Sequence, residues 1–267
     1  MSNKLLSIWA AGKSACNGWL TVPHAVLAEA MAVAGWDSVT LDMHHGFIDL
    51  PDLVNLIGAL QGTPNAPVPL VRVPWNDPGT IYRVLDAGAM GIICPMVNTA
   101  QEAQALVKAV KYPPVGQRSF GPIRPLLRQG PAYVAGANAN CLAFAQIETR
   151  QALENIDSIL AVPGLDGVYV GPSDLAFDMG MPPHFDTEQA PLLQAFERIV
   201  TSARQHGRIA CMHNNTPVYA KRMVDMGFQL VTFGSDLGFV TVAGQAAVGV
   251  VRGATAGVTL STPKAGY

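Results

Sequence analysis

Cys141-Leu-Ala-Phe-Ala-Gln-Ile147, running into Glu148-Thr149-Arg150, is built like Gly167-Val-Tyr-Val170, running into Gly171-Pro172-Ser173-Asp174-Leu175. Each is a short apolar run that gives way to a turn bearing a carboxylate and then to helical spacing. A run apolar at nearly every position predicts a strand buried on both faces, as in a parallel sheet. Glu148 and Asp174 are therefore expected at the same, carboxyl-terminal end of one sheet, where two converging carboxylates suit a divalent metal.

The same alternation extends along almost the whole chain. Apolar runs at 15–20, 38–41, 69–73, 91–94, 141–147, 167–170, 208–212 and 230–233 are bounded by Gly, Pro, Asn or Asp. Between them, stretches such as 25–34, 99–110 and 192–205 repeat apolar residues every three to four positions. Eight such alternations in 267 residues predict an α/β fold, a (β/α)8 TIM barrel, which typically takes about 250 residues. A doubly wound open sheet is the structural alternative. No Ser/Gly linker, charge run or shift in composition divides residues 1–267, so one domain is expected. The first eleven residues, with Leu5, Leu6, Ile8 and Trp9, predict an amphipathic helix that closes the barrel floor rather than a signal peptide.

Composition narrows the function classes. Hydrophobic residues make up 49% and charged residues 13%, which fits a large core and buried subunit surfaces. A net charge of −2 offers no basic field for nucleic acid or an anionic membrane. No apolar run is long enough to span a bilayer, and a cytoplasmic location is expected. Cys16, Cys94, Cys141 and Cys211 stand singly in predicted strands, without C-x-x-C spacing, and are expected to be reduced core residues. Gly12-Lys13-Ser14 ends like a phosphate-binding loop, but Ser7 stands where that motif requires its first glycine.

The remaining polar residues cluster at predicted strand ends: Leu41-Asp42-Met43-His44-His45-Gly46, Val71-Arg72-Val73-Pro74 and Cys211-Met212-His213-Asn214-Asn215. In a barrel these ends meet at one mouth. Asp42 and His44 also suit loop caps, and one of two adjacent histidines is often structural. Arg72, in an otherwise apolar strand, requires an anion or strong acceptors.

Asp42-x-x-His45-Gly46, Arg72, Trp75-Asn76-Asp77-Pro78, Pro95-Met96-Val97, Tyr112-Pro113-Pro114-x-Gly116-x-Arg118, Gln146-Ile147-Glu148-Thr149 and Gly171-Pro172-Ser173-Asp174-Leu175 together resemble the metal-dependent class II pyruvate aldolases, and among them the hydroxyketoacid aldolases. The resemblance runs from Asn17 to Gly238. It implies reversible aldol cleavage of 4-hydroxy-2-oxo acids to pyruvate, or a similar 2-oxo acid, and an aldehyde. It also implies Mg2+, Mn2+ or Co2+ held by Glu148 and Asp174, whose hard oxygens suit such ions. Arg72 and the metal would stabilise the enolate oxygen. His45 would serve as general base and acid, oriented by Asp86 or, locally, by Asp42. Backbone amides of the turn Gly171, Pro172, Ser173 and Asp174 would hold the 2-oxo acid's carboxylate, Pro172 supplying none.

Residues 111–129, rich in Pro and Gly and carrying Arg118, Arg124 and Arg128, are expected to close over the mouth or onto a neighbouring subunit and to recognise the aldehyde; a solvated surface loop is the plainer alternative. The family suggests a homohexamer, a trimer of dimers, whose carboxyl-terminal helix packs one subunit on another, and the apolar stretch 240–251 is compatible with this. Two positions depart from the family's pattern. His44 stands where Glu or Gln is common and His213 where apolar or small residues are common, and either imidazole is expected to bind a hydroxyl or a carboxylate of the aldehyde.

Three rivals accompany this reading. A Schiff-base aldolase needs a lysine in the barrel, and none of Lys4, Lys13, Lys108, Lys111, Lys221 and Lys264 ends a predicted strand. An acyl-coenzyme A lyase shares a related barrel and its carboxylates. A barrel that only binds a 2-oxo acid has no need of a proton-transfer group.

Overall fold

The computed structural model describes residues 2–253, so Lys264 and the end of the chain lie outside the described residues. The strands are β1 (Ala15–Leu20), β2 (Ser38–Asp42), β3 (Val68–Arg72), β4 (Gly91–Cys94), β5 (Leu142–Ile147), β6 (Gly167–Val170), β7 (Ile209–Asn214) and β8 (Leu230–Phe233). They pair in parallel and in sequence order, and β8 returns to pair with β1. That second neighbour for β1 closes the (β/α)8 barrel in a single domain and rules out the open sheet. β2 and β7 run further than the apolar runs suggested, which takes Asp42 and His213 into the sheet itself.

Alternate strand residues face opposite sides. One set, including Val39, Leu41, Val71, Ile92, Val168 and Met212, packs against the surrounding helices. The other fills the barrel with Trp19, Leu70, Ile93, Phe144 and Tyr169. Helix Lys4–Ala10 packs onto the barrel interior: Leu5 and Trp9 join the interior cluster, and Trp9 Nε1 donates to the Gln229 carbonyl at 2.8 Å.

Two expectations are corrected at this level. Cys94, Cys141 and Cys211 are buried, but Cys16 is exposed, because its outward position near the start of β1 lies beyond the helices' cover. Residues 111–141 do not cover the mouth of their own subunit. They join helix Ala100–Val110 to the start of β5, so they lie at the amino-terminal end of the strands, where Lys111 Nζ bonds the Cys141 carbonyl and Asp166. Part of the stretch is helical, at Ile123–Gln129 and Ala132–Asn140.

Candidate active site

Glu148 is the first residue beyond β5 and is 3% exposed, too buried to remain charged without partners. Its Oε1 accepts from the Met96 amide at 2.7 Å and its Oε2 from Gln146 Nε2 at 2.5 Å. Met96 turns its N–H there from a left-handed conformation, φ 55°, uncommon outside glycine. Asp174 sits in the first turn of helix Pro172–Asp178, exposed to the mouth. Burial pushes the Glu148 carboxyl up; the Asp174 charge adds to this, while Met96, Arg72 and Gln146 oppose it. Gln146 Oε1 is buried without a partner. Among the described residues no group of three or more His, Cys, Asp or Glu side chains is placed to hold a metal ion.

Gly171 makes this arrangement possible. A Cβ there would lie 2.7 Å from Glu148 Oε2 and 2.9 Å from Gln146 Nε2. Gly171→Ala is therefore expected to weaken divalent-cation affinity about 10- to 100-fold, measured by isothermal titration, with little change in far-ultraviolet circular dichroism. Unaltered affinity would show that the carboxylate tolerates displacement.

Arg72 and Asp42, opposite each other in the β2–β3 register, form a two-pronged pair: Nε donates to Oδ1 at 2.8 Å and Nη2 to Oδ2 at 2.6 Å. Burial would raise the Asp42 carboxyl, but Arg72 and the amides of His44 and His45 override it and hold it below the usual carboxylate range. Trp19 lies beneath, 4.9 Å from the guanidinium, its Nε1 donating to Asp42 at 3.3 Å. Asp42 Oδ1 thus shapes the turn that carries both histidines, at 3.0 Å from the His44 amide and 3.4 Å from that of His45. The turn also needs Gly46, since a Cβ there would lie 2.3 Å from the Asp42 carbonyl oxygen.

Arg72, Glu148's partner Gln146, Gly171, Pro172, Ser173, Asp174, His45 and His213 border one cavity of about 330 Å³. That volume suits a small ligand. Trp19, Thr21 and Phe185 are among its other walls, residues that the sequence reading does not single out. His213 stacks edge-on to Trp19, and its Nδ1 lies 3.1 Å from the Tyr169 hydroxyl. Below it, Asn17, Ser38, Thr40 and Thr232 form a buried polar layer inside the barrel.

Other expected residues fall elsewhere. His44 does not line the cavity; its Nδ1 donates to the Pro74 carbonyl at 3.0 Å. Within the subunit Asp86 does not orient His45. Helix Pro78–Asp86 runs back from the mouth and leaves Asp86 at the far end, bonded to Arg118 Nη2 at 2.7 Å. Arg118 is 2% exposed and also bonds Tyr133, while Arg124 donates to the Ala87 carbonyl at 2.5 Å. Both arginines brace the floor of their own subunit, because an αβ connection ends where the next strand begins. Lys4, Lys13, Lys108, Lys111 and Lys221 do not line the cavity, so among the described residues no lysine is available for a Schiff base.

Residues 17–243 match the model of the HpcH/HpaI aldolase/citrate lyase family. The chain is 41% identical to a hydroxypyruvate/pyruvate aldolase of Rhizorhabdus wittichii, over 94% of this chain and 99% of that one. It is 36% identical to a 4-hydroxy-2-oxo-heptane-1,7-dioate aldolase of Klebsiella pneumoniae, over 88% and 89%. A crystal structure of an HpcH/HpaI aldolase/citrate lyase family protein from Burkholderia cenocepacia superposes with a TM-score of 0.86 at 27% identity, covering 94% of this chain and 100% of that one.

Proposed function

We propose that this chain, which belongs to the HpcH/HpaI aldolase/citrate lyase family, reversibly cleaves 4-hydroxy-2-oxo acids to pyruvate, or a similar 2-oxo acid, and an aldehyde. It is an enzyme, a carbon–carbon lyase of the aldolase kind. The observation that carries the reading is the convergence in one cavity of Asp174, an Arg72 held rigid by Asp42, and Gln146, whose Nε2 bonds the buried Glu148 behind the cavity wall. Aldolase names on relatives matched over most of the chain favour it over coenzyme A lysis or binding alone.

The donor set fits a divalent cation. Glu148 and Asp174 offer hard oxygens, and the Asp174 charge adds to the upward push that burial exerts on the Glu148 carboxyl, which a cation would relieve. Bound by these two residues, the ion would supply positive charge opposite the keto oxygen of the 2-oxo acid. Arg72 offers its remaining N–H groups to that oxygen, and Asp42 keeps them aimed. The Ser173 and Asp174 amides, in the first helical turn and without carbonyl partners, hold the substrate carboxylate. His45, exposed at the cavity edge, takes up a proton and returns it to carbon.

Proton exchange of the pyruvate methyl group in deuterated water tests this without knowledge of the aldehyde. Exchange is expected only with a divalent cation present, and His45→Ala should slow it by about 10²- to 10⁴-fold. Metal-independent exchange would refute the reading, and a native rate in the variant would remove His45 from the proton's path.

The homohexamer of the family rests on helix Asp236–Val251, which leaves Leu237, Phe239, Val240, Val242, Val248 and Val251 exposed. Apolar surface of this extent marks an interface. Sedimentation at micromolar concentration is expected to give a mass several times 28.2 kDa, and a monomer would refute the assembly. No helix of the described residues is long and apolar enough to cross a membrane, and all four cysteines are free, in keeping with a reducing cytoplasm.

A further inference from the structure

His213 has its hydrogen-bonding sense set from inside the barrel. The Tyr169 hydroxyl donates to Thr232 Oγ1 at 2.7 Å, and Asn17 Nδ2 donates to the same oxygen at 2.8 Å. Asn17 is itself fixed, because its other contacts are to Ser38 and Thr40, all fully buried. With its proton directed at Thr232, the Tyr169 oxygen is left to accept, and the ring nitrogen 3.1 Å away, His213 Nδ1, must carry the hydrogen. Burial pushes the His213 pKa down to about 3, with the Arg72 charge adding to it, so the ring is neutral. A neutral imidazole protonated on Nδ1 presents a bare lone pair on Nε2. That nitrogen has no hydrogen-bond partner among the described residues and is not sealed off with the buried unpartnered atoms, so it opens on the cavity that His213 lines. Trp19 and Phe185, with ring centroids 4.6 and 5.0 Å from that of His213, flank it with apolar surface.

We propose that His213 is a specificity-determining residue: Nε2 accepts a hydrogen bond from a substrate hydroxyl, so the site selects a hydroxylated 2-oxo acid or hydroxylated aldehyde over a carboxylate-terminated partner. The inference rests on the aldolase reading above and decides between the two groups, hydroxyl and carboxylate, that an imidazole at this position can serve. A lone pair has nothing to offer a carboxylate, and charging the ring to suit one means placing a cation beside Arg72 in a dry pocket. A hydroxyl supplies the donor that the nitrogen lacks. Leaving such an acceptor unpaired opposite a methyl group is costly, which gives the discrimination its size.

Native enzyme, His213→Leu and His213→Gln, each loaded with the same divalent cation, are compared in two arms. The first sets hydroxypyruvate against 2-oxobutanoate as the nucleophile, with formaldehyde as common acceptor; the second sets glycolaldehyde against propanal, with pyruvate as common donor. The native protein should favour the hydroxylated partner in at least one arm, which identifies the substrate that carries the hydroxyl. His213→Leu should lower that ratio of kcat/KM values by about ten-fold or more, and His213→Gln, whose Oε1 can accept, should keep most of it. Independently of any variant, the imidazole nitrogen resonances of the native protein should report hydrogen on Nδ1 and none on Nε2. Ratios unmoved by His213→Leu in both arms, a protonated Nε2, or a native preference for succinic semialdehyde that the leucine variant loses would each overturn the assignment. If the native protein also fails to exchange pyruvate methyl protons with metal present, the aldolase reading falls with it; exchange alongside unmoved ratios defeats only the role of His213.

Discussion

Glu148→Gln and Asp174→Asn are each expected to lower aldol turnover by about 10³-fold or more while the protein still folds and melts cooperatively. Loss of a metal's electrophilic help is worth several kcal/mol, and each 1.36 kcal/mol is about a factor of ten. The glutamine variant is the more informative. Glu148 accepts from both Met96 N–H and Gln146 Nε2. A carboxamide has only one acceptor atom, so one of these donors must then face an NH2 group. Cation titration by calorimetry should show the lost affinity directly. Near-native turnover of either variant at low metal would mean that these carboxylates are not the metal ligands.

Arg72→Lys is expected to lose about 10²- to 10³-fold in turnover, the usual effect of removing one preorganised donor from a developing oxyanion. An ammonium keeps the charge but cannot grip both Asp42 oxygens and still present further N–H groups to substrate. Its effect on stability should depend on pH. Arg72, acting against burial, holds the folded-state pKa of Asp42 below its unfolded value, so the pair stabilises the fold fully above the ordinary carboxylate pKa, and that stabilisation is lost as pH falls through the depressed value. The gap in melting temperature between native and variant proteins should accordingly be widest near neutrality and close in acid. A variant with near-native turnover but the same pH-dependent gap would reduce Arg72 to a structural ion pair.

The barrel was legible because eight apolar runs recur with helices between them, and Glu148, Asp174 and Arg72 stood out as charges set into or just after such runs. Their partners were harder to read. Asp42 and Arg72 were both singled out, yet that they hold each other depends on the β2–β3 register, which no local pattern carries. Asn17, Thr40 and Thr232 look like stray polar residues in strands, although strand parity puts them inside with Trp19 and Tyr169. Met96 gives no sign of its left-handed backbone, since glycine usually takes that role. Within the subunit Asp86, Arg118 and Arg124 lie away from the mouth for a topological reason that the chain order already contained: a segment leading from a helix into a strand ends at the floor, opposite the βα loops that make the mouth.

Asn17 joins the two ends of the chain, reaching Thr40 in β2 on one side and, across 215 residues, Thr232 in β8 on the other. Contacts so distant along the chain bear the greatest loop-closure entropy and form only when most of the polypeptide has already collapsed. During synthesis the first seven strands emerge before the partner that completes the ring, and until β8 docks Tyr169 has no Thr232 to receive its proton. Folding order therefore makes the last strand to arrive the one that completes the pocket, so a chain stalled before β8 carries Glu148 and Asp174 at its strand ends but lacks the Thr232 contact behind Tyr169 and His213.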